Sequence, residues 1–160
     1  ITAPTMAKIA LKTQGKAFVA FVGEGPEGPC LKAIAKREGL TDRVLFHPPL
    51  DDVGLVYAAA EIFILPSISE GLSNALLEAM ASGLAVLASR VGATVEAVSK
   101  EEGILFDPSA PDELRRSLEG ILESPETIAR MGAAARKKAL EGYALSRVAR
   151  AYEDLYRSSL

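Results

Sequence analysis

The sequence has few of the residues on which several classes of site depend. It contains one cysteine, Cys30, which excludes an intrachain disulfide and is typical of a reducing compartment such as the cytoplasm. We expect Cys30 to pack as a small apolar residue in a helix. The sequence contains one histidine, His47, and no cluster of His, Cys and carboxylate residues at metal-ligand spacing. No metal and no cofactor are therefore predicted.

Positive charge and long apolar runs are also scarce. The chain has 18 Lys and Arg against 21 Asp and Glu, a net charge of -3. This balance gives no general attraction to nucleic acid or to anionic lipid, so any phosphate site must be local. No apolar run approaches the ~20 residues that span a bilayer, and no signal peptide is recognised. We expect a soluble cytoplasmic protein with no nucleic-acid partner.

Apolar residues are plentiful, and their pattern predicts an α/β fold. The chain has 160 residues, 49% of them hydrophobic, which is enough for one domain with its own core over residues 1–160. Short apolar runs alternate with helical patterns, the first of them over residues 4–12. This order predicts a Rossmann-like, doubly wound parallel sheet with right-handed crossovers. The predicted strands are residues 17–22, 43–46, 61–65, 85–88 and 103–106. The last helical pattern, with Leu145, Tyr152 and Tyr156 on one side, is expected to be core.

The third predicted strand leads through a tight turn into a helix, and two carboxylates flank this turn. Glu70 lies in the turn and Glu78 about two turns into the helix, off its apolar stripe. The helix start offers unpaired N–H groups and a partial positive charge, which suit a phosphate. The two carboxylates lie roughly 10 Å apart, so they could hold hydroxyls on either side of a diphosphate. On residues alone, two solvated surface glutamates explain the pattern equally well.

The motifs around these glutamates resemble the donor-binding, C-terminal half of group-1 retaining glycosyltransferases with the GT-B fold. The resemblance rests on Glu70-x7-Glu78 after a strand that ends in Pro66 and Ser67. It continues through nearly the whole chain, in residues 22–26, 42–46, 78–88, 91–96 and 103–108. The chain departs from the family where Ala85 replaces a common proline and Ala93 a common glycine. Neither substitution removes a reactive or ligand-binding side chain.

The resemblance implies a role for each candidate residue. Glu70, the one residue assigned to catalysis, would contact hydroxyls of the transferred sugar, and Glu78 would accept from both ribose hydroxyls. Backbone N–H groups in the turn would face the diphosphate or the sugar; they belong to Gly71, Leu72, Ser73 and Asn74. A carboxylate can accept two hydroxyls at once, and glycine lets the backbone approach a ligand closely.

His47 and Gly23 follow two other strands, at the edge where open α/β sheets bind ligands. By the resemblance, His47 lies against the nucleobase and the Gly23 loop beside the donor cleft. From the residues alone, Gly23 fits a simple strand-to-helix turn better than phosphate contact, because the third glycine of a dinucleotide fingerprint is absent. A catalytic base at His47 is disfavoured, because no carboxylate nearby in sequence could orient its ring.

The resemblance implies a fragment of a longer enzyme that is inactive alone. The family carries an Arg and a Lys for the diphosphate, one more strand and an N-terminal acceptor domain, none of which we find in residues 1–160. Lys8, Lys12 and Lys16 are not assigned those roles, because they lie too late in the chain or on the wrong element. The implied partners are a nucleotide-sugar donor and the acceptor domain, through which membrane association is left open.

The implied reaction moves a hexose from a nucleotide-diphosphate sugar to a glycan, lipid or small molecule. One alternative is a non-catalytic nucleotide-sugar-binding or regulatory module that works with a separate chain. Another is an epimerase, which would need further acid-base groups, or a phosphorylase, which would need a lysine for pyridoxal phosphate.

Overall fold

Strands and helices alternate along the chain in the computed structural model, which describes residues 17–158. The strands are β1 (Val19–Val22), β2 (Val44–His47), β3 (Ile62–Leu65), β4 (Ala85–Ser89) and β5 (Gly103–Phe106). The helices are α1 (Gly28–Arg37), α2 (Gly54–Ala58), α3 (Asn74–Ala81), α4 (Thr94–Ala97), α5 (Pro111–Leu122), α6 (Pro125–Gly142) and α7 (Leu145–Ser158). All five predicted strands are present, each within two residues of its predicted bounds. The helix predicted over residues 4–12 and the three lysines considered above lie outside the described residues.

The strands are parallel, as predicted, but they form two sheets. β1 pairs with β2, and β3, β4 and β5 form a second sheet in that order. Each connection between paired strands carries a helix, which confirms the α/β class. No hydrogen-bonded pairing joins β1 to β3 in the described part of the chain. The sheets nevertheless share a core, because Val19 and Phe21 pack on the same apolar cluster as Ile62 and Ile64.

The core is centred on β4, whose five residues are all buried. Successive strand residues face opposite sides of a sheet, so β4 supplies two apolar clusters. Ala85 and Leu87 pack against α5 on one face, while Val86 and Ala88 pack against α3 and α6 on the other. Burial on both faces explains why this strand is a continuous apolar run.

Helix α6 crosses the end of α3 at very short range. A Cβ on Gly132 would lie 2.1 Å from the Gly83 carbonyl oxygen, so only glycine permits this approach. Gly83 itself has a φ of +87°, the left-handed conformation that ends a helix. Nearby, the Arg136 guanidinium donates to the Ala81 carbonyl oxygen at 2.7 Å. These contacts hold α3 at a defined position against the sheet.

A buried carboxylate makes a second attachment for α6. Glu102 is 5% exposed and accepts from the Ser99 N–H at 2.7 Å and from Lys138 Nζ at 3.3 Å. Burial alone would raise the pKa of Glu102, but the hydrogen bonds from Ser99 and the charge of Lys138 outweigh it and lower that pKa. Glu102 is therefore ionised at neutral pH and has a structural role.

Two expectations about packing are wrong. Cys30 lies on α1 but is exposed. Ala35 is the one buried residue of that helix, so the rest of its surface, including Cys30, is not covered by the core. Leu145, Tyr152 and Tyr156 on α7 are 84%, 58% and 68% exposed. Their helical spacing does make the helix amphipathic, but burial also needs a surface that covers it.

None of the helices in residues 17–158 is long and apolar enough to cross a membrane.

Candidate functional site

The turn between β3 and α3 ends in a helix cap. Ser73 is extended, at φ -73° and ψ 123°, and its hydroxyl accepts from the Leu76 N–H at 3.4 Å. The Leu77 N–H donates to the Ser73 carbonyl oxygen. The N–H groups of Asn74 and Ala75, which precede these two, have no partner within the helix. The start of α3 therefore presents backbone donors and the positive end of the helix dipole.

Glu70 is held in this turn by a short hydrogen bond. The Ser67 hydroxyl donates to its Oε1 at 2.6 Å, and the glutamate side chain is half-buried. This contact fixes one carboxylate oxygen and leaves the other as an acceptor. Glu70 is thus placed to accept a hydroxyl from a ligand, and its neighbour Gly71 faces open space, because a Cβ there would meet nothing within 4 Å.

The loop after β4 supports the same turn from behind. Gly92 has a φ of +48°, and a Cβ at this position would lie 1.8 Å from the Glu70 carbonyl oxygen. The Gly71 carbonyl oxygen would be 3.3 Å away. In the sequence, Gly92 had no assigned role and fell only within the matching segment 91–96. Its position shows that β4 and its loop fix the backbone that carries Glu70.

Glu78 lies on the exposed side of α3, beside a residue that sequence analysis missed. The Tyr57 hydroxyl of α2 donates to the Ala75 carbonyl oxygen at 3.4 Å, and Ala75 lies about one turn before Glu78 on the same side of α3. Burial raises the pKa of Tyr57, and the negative charge of Glu78 raises it further. An α2 tyrosine spaced 21 residues before a glutamate gives no sequence signal, because only the fold brings the two together.

His47 and Gly23 meet at the end of the β1–β2 sheet. The Gly23 N–H donates to the His47 carbonyl oxygen at 2.9 Å, in the loop directly after the paired residues Val22 and His47. The His47 ring is half-buried, and its Nδ1 is 2.8 Å from the Pro48 carbonyl oxygen. Because a carbonyl oxygen only accepts, this contact places the proton on Nδ1.

The predicted residues lie in three groups. The first is Glu70 in the turn, the second is Glu78 on α3, and the third is His47 with Gly23 at the end of the β1–β2 sheet. No hydrogen bond recorded in residues 17–158 joins the third group to the other two. Leu72, named above for its backbone N–H, precedes the cap, and its side chain is 40% exposed.

Charged groups near the site do not form a metal centre. Among residues 17–158, no three His, Cys, Asp or Glu side chains converge on a single point. Arg90, a cation at the end of β4, is turned towards β5, where it donates to the Leu105 carbonyl oxygen at 3.1 Å. Its charge lowers the pKa of Asp107, after the larger effect of hydrogen bonds from Ser109.

Residues 5–138 match the family model described as glycosyl transferases group 1. The chain belongs to this family. A group 1 glycosyltransferase domain accounts for the parallel α/β fold and for the strand, turn and helix around Glu70 and Glu78. The resemblance to group-1 glycosyltransferases inferred from the sequence is thereby confirmed.

Two relatives illustrate the match of this group 1 domain. It is 36% identical over 138 residues to D-inositol 3-phosphate glycosyltransferase of Streptomyces griseus, covering 84% of this chain and 29% of the relative. It is 37% identical over 139 residues to MMP alpha-(1->4)-mannosyltransferase of Mycolicibacterium hassiacum, covering 84% of this chain and 34% of the relative. The chain therefore spans about a third of the length of the curated relatives that it matches.

Solved structures agree on the fold. Sucrose-phosphate synthase from Thermosynechococcus elongatus superposes with a TM-score of 0.81 at 26% identity, covering 96% of this chain and 41% of that chain. The Anabaena protein Alr3699/HepE, crystallised in complex with UDP, gives a TM-score of 0.79 at 19% identity, covering 100% of this chain and 54% of that chain. The second likeness concerns the fold alone.

Proposed function

We propose that this domain binds the nucleotide-sugar donor of a retaining hexosyltransferase. The single observation that carries the proposal is the entrance of α3, where backbone donors lie between two accessible carboxylates. Glu70 is half-buried and Glu78 is exposed, so packed neighbours close off neither group. This arrangement suits a ligand with hydroxyls at both ends and negative charge in the middle.

In this proposal each end of the donor has its own acceptor. Glu70, aligned by Ser67, accepts hydroxyls of the sugar that is transferred. Glu78 accepts the two ribose hydroxyls. Backbone N–H groups between them face the diphosphate; they are those of Gly71, Leu72, Ser73 and Asn74. His47 lies against the nucleobase through its free Nε2 edge or its ring face, and the Gly23 loop lines the same cleft.

The chemistry in this proposal needs neither a protein nucleophile nor a metal ion. The departing diphosphate is stabilised by amides and the helix dipole, and the sugar is held in position for the acceptor. Support for a nucleotide-sugar donor comes from the relatives named as glycosyltransferases and from the similarly folded protein crystallised with UDP.

Transfer also requires an acceptor, so we propose that activity belongs to a longer, cytoplasmic protein. The support is the length of the relatives, about three times that of the aligned segment. A further strand would fit beside β1 or β3, which are not hydrogen-bonded to each other in the described residues. An N-terminal acceptor-binding domain would complete the cleft, and any peripheral membrane contact would belong to it.

Nucleotide binding by a Glu78 variant tests the proposal. UDP, GDP and ADP are titrated against the chain and against Glu78→Gln by NMR, which detects weak binding. Removing the charged acceptor should weaken the best nucleotide several-fold to a hundred-fold, since a hydrogen bond to a charged group contributes ~1–3 kcal/mol. The matched control is Glu153→Gln, an exposed helical glutamate on α7, which should bind like the wild type. If Glu78→Gln also binds like the wild type, the ribose role is wrong.

A further inference from the structure

Tyr57 connects three elements around the Glu78 carboxylate. Its ring meets Phe63 of β3 edge-to-face, with centroids 6.0 Å apart and planes at 83°. Its hydroxyl reaches α3, where it donates to the Ala75 carbonyl oxygen at 3.4 Å. Ala75 and Glu78 are three residues apart and so lie on the same side of α3. The phenol is thus fixed by packing at one end, and its hydroxyl lies on the side of α3 that carries Glu78.

The hydroxyl is a permanent donor at neutral pH, since burial and the Glu78 charge hold its pKa above the ordinary value for tyrosine. Glu78 is exposed and would otherwise sample many rotamers. A carboxylate has about four lone-pair sites, so one hydrogen bond from Tyr57 would leave sites for two further hydroxyls. If the hydroxyl turns its proton to Glu78, the hydrogen bond restricts the glutamate without using up its capacity to bind a ligand.

We propose that Tyr57 is a positioning residue that holds the Glu78 carboxylate ready for the vicinal hydroxyls of a ribose. This inference rests on the proposed function, because it assigns Glu78 the ribose. Tyr57 touches no ligand itself and acts through the glutamate. Its effect must therefore appear only with ligands that carry the hydroxyls, and only while Glu78 is present.

The test compares UDP, GDP and ADP with their 2′,3′-dideoxy forms. Tyr57→Phe keeps the ring against Phe63 and removes only the hydroxyl. We expect it to weaken the best ribonucleotide about threefold to tenfold and to leave the dideoxy form unchanged. Combined with Glu78→Gln, it should add no further loss, since the two residues act as a unit. Tyr143→Phe, at another partly buried tyrosine, should bind as the wild type does.

A second measurement needs no ligand. The Tyr57 hydroxyl is titrated by NMR in the wild type and in Glu78→Gln. Its pKa should fall towards the ordinary tyrosine value in the variant, because the charge that raises it is gone. An unchanged pKa would show that the contact is absent and would overturn the inference.

The possible failures are distinguishable. If the wild type binds none of the three nucleotides, the proposed function fails and the inference with it. If Glu78→Gln weakens ribonucleotides but Tyr57→Phe does not, the ribose role stands and the inference is wrong. An equal loss of ribose and dideoxy ligands in Tyr57→Phe would also overturn it, because that result indicates general damage to the site.

Discussion

Gly92 shows how a single missing Cβ can determine the geometry of a site. The glycine has a positive φ, and its Cα lies against the Glu70 carbonyl group. An alanine there would be strained in its own backbone and would also collide with the turn. The position of Glu70 therefore depends on a residue 22 positions later in the chain, with no catalytic group of its own.

Replacing Gly92 with alanine should destabilise the fold and displace Glu70. The left-handed conformation and the collision together should cost about 2–5 kcal/mol in the free energy of unfolding, measured by urea denaturation. Gly71→Ala is the matched control, because its Cβ would meet open space. A Gly92→Ala variant as stable as Gly71→Ala would contradict this account of the turn.

Helix α3 and its neighbour α6 differ in how their placement arises. The apolar spacing of Leu76, Ala79 and Met80 predicts the buried side of α3, and all three are buried. The placement of α6 depends instead on a crossing between two glycines, Gly132 and Gly83, whose backbones touch. A close crossing of this kind is possible because glycine has no side chain. The periodicity of apolar residues in the sequence does not reveal where such a crossing occurs.

Two helical glycines allow a direct test of that crossing. Gly132→Ala should destabilise the protein by about 1–3 kcal/mol, because its Cβ would overlap the Gly83 carbonyl group. Gly120→Ala in α5 should leave stability unchanged or raise it by up to about 1 kcal/mol, since nothing lies near its Cβ and alanine is the better helix former. Thermal unfolding of both variants measures the difference. Similar effects at the two positions would argue against a tight crossing.

The two sheets contribute unequally to the fold. β4 is wholly buried between helices, while β1 and β2 pair only with each other in the described residues. Leu45 of β2 is 60% exposed. Regions with less buried apolar surface open more readily, so the sheet that carries His47 should be the less stable part of the molecule.

Hydrogen exchange should reveal this difference. β2 and β5 are both edge strands with one paired neighbour in the described sheets, which makes them a matched pair. We expect amides in β5 to exchange about tenfold to a hundredfold more slowly than those in β2, after correction for intrinsic rates. Equal protection would indicate that the two sheets open as one unit.

Patterns within short segments of the sequence were enough to predict much of this protein's secondary structure and its candidate carboxylates. Apolar runs of strand length and the Glu70-x7-Glu78 spacing lie within short segments, so the chain order of elements and the candidate carboxylates could be predicted. Tyr57 beside Glu78, Gly92 behind Glu70 and Gly132 against Gly83 are contacts between residues distant in sequence. They arise only when strands pair and helices pack, because the physical effect of each residue depends on which neighbour the fold brings to it.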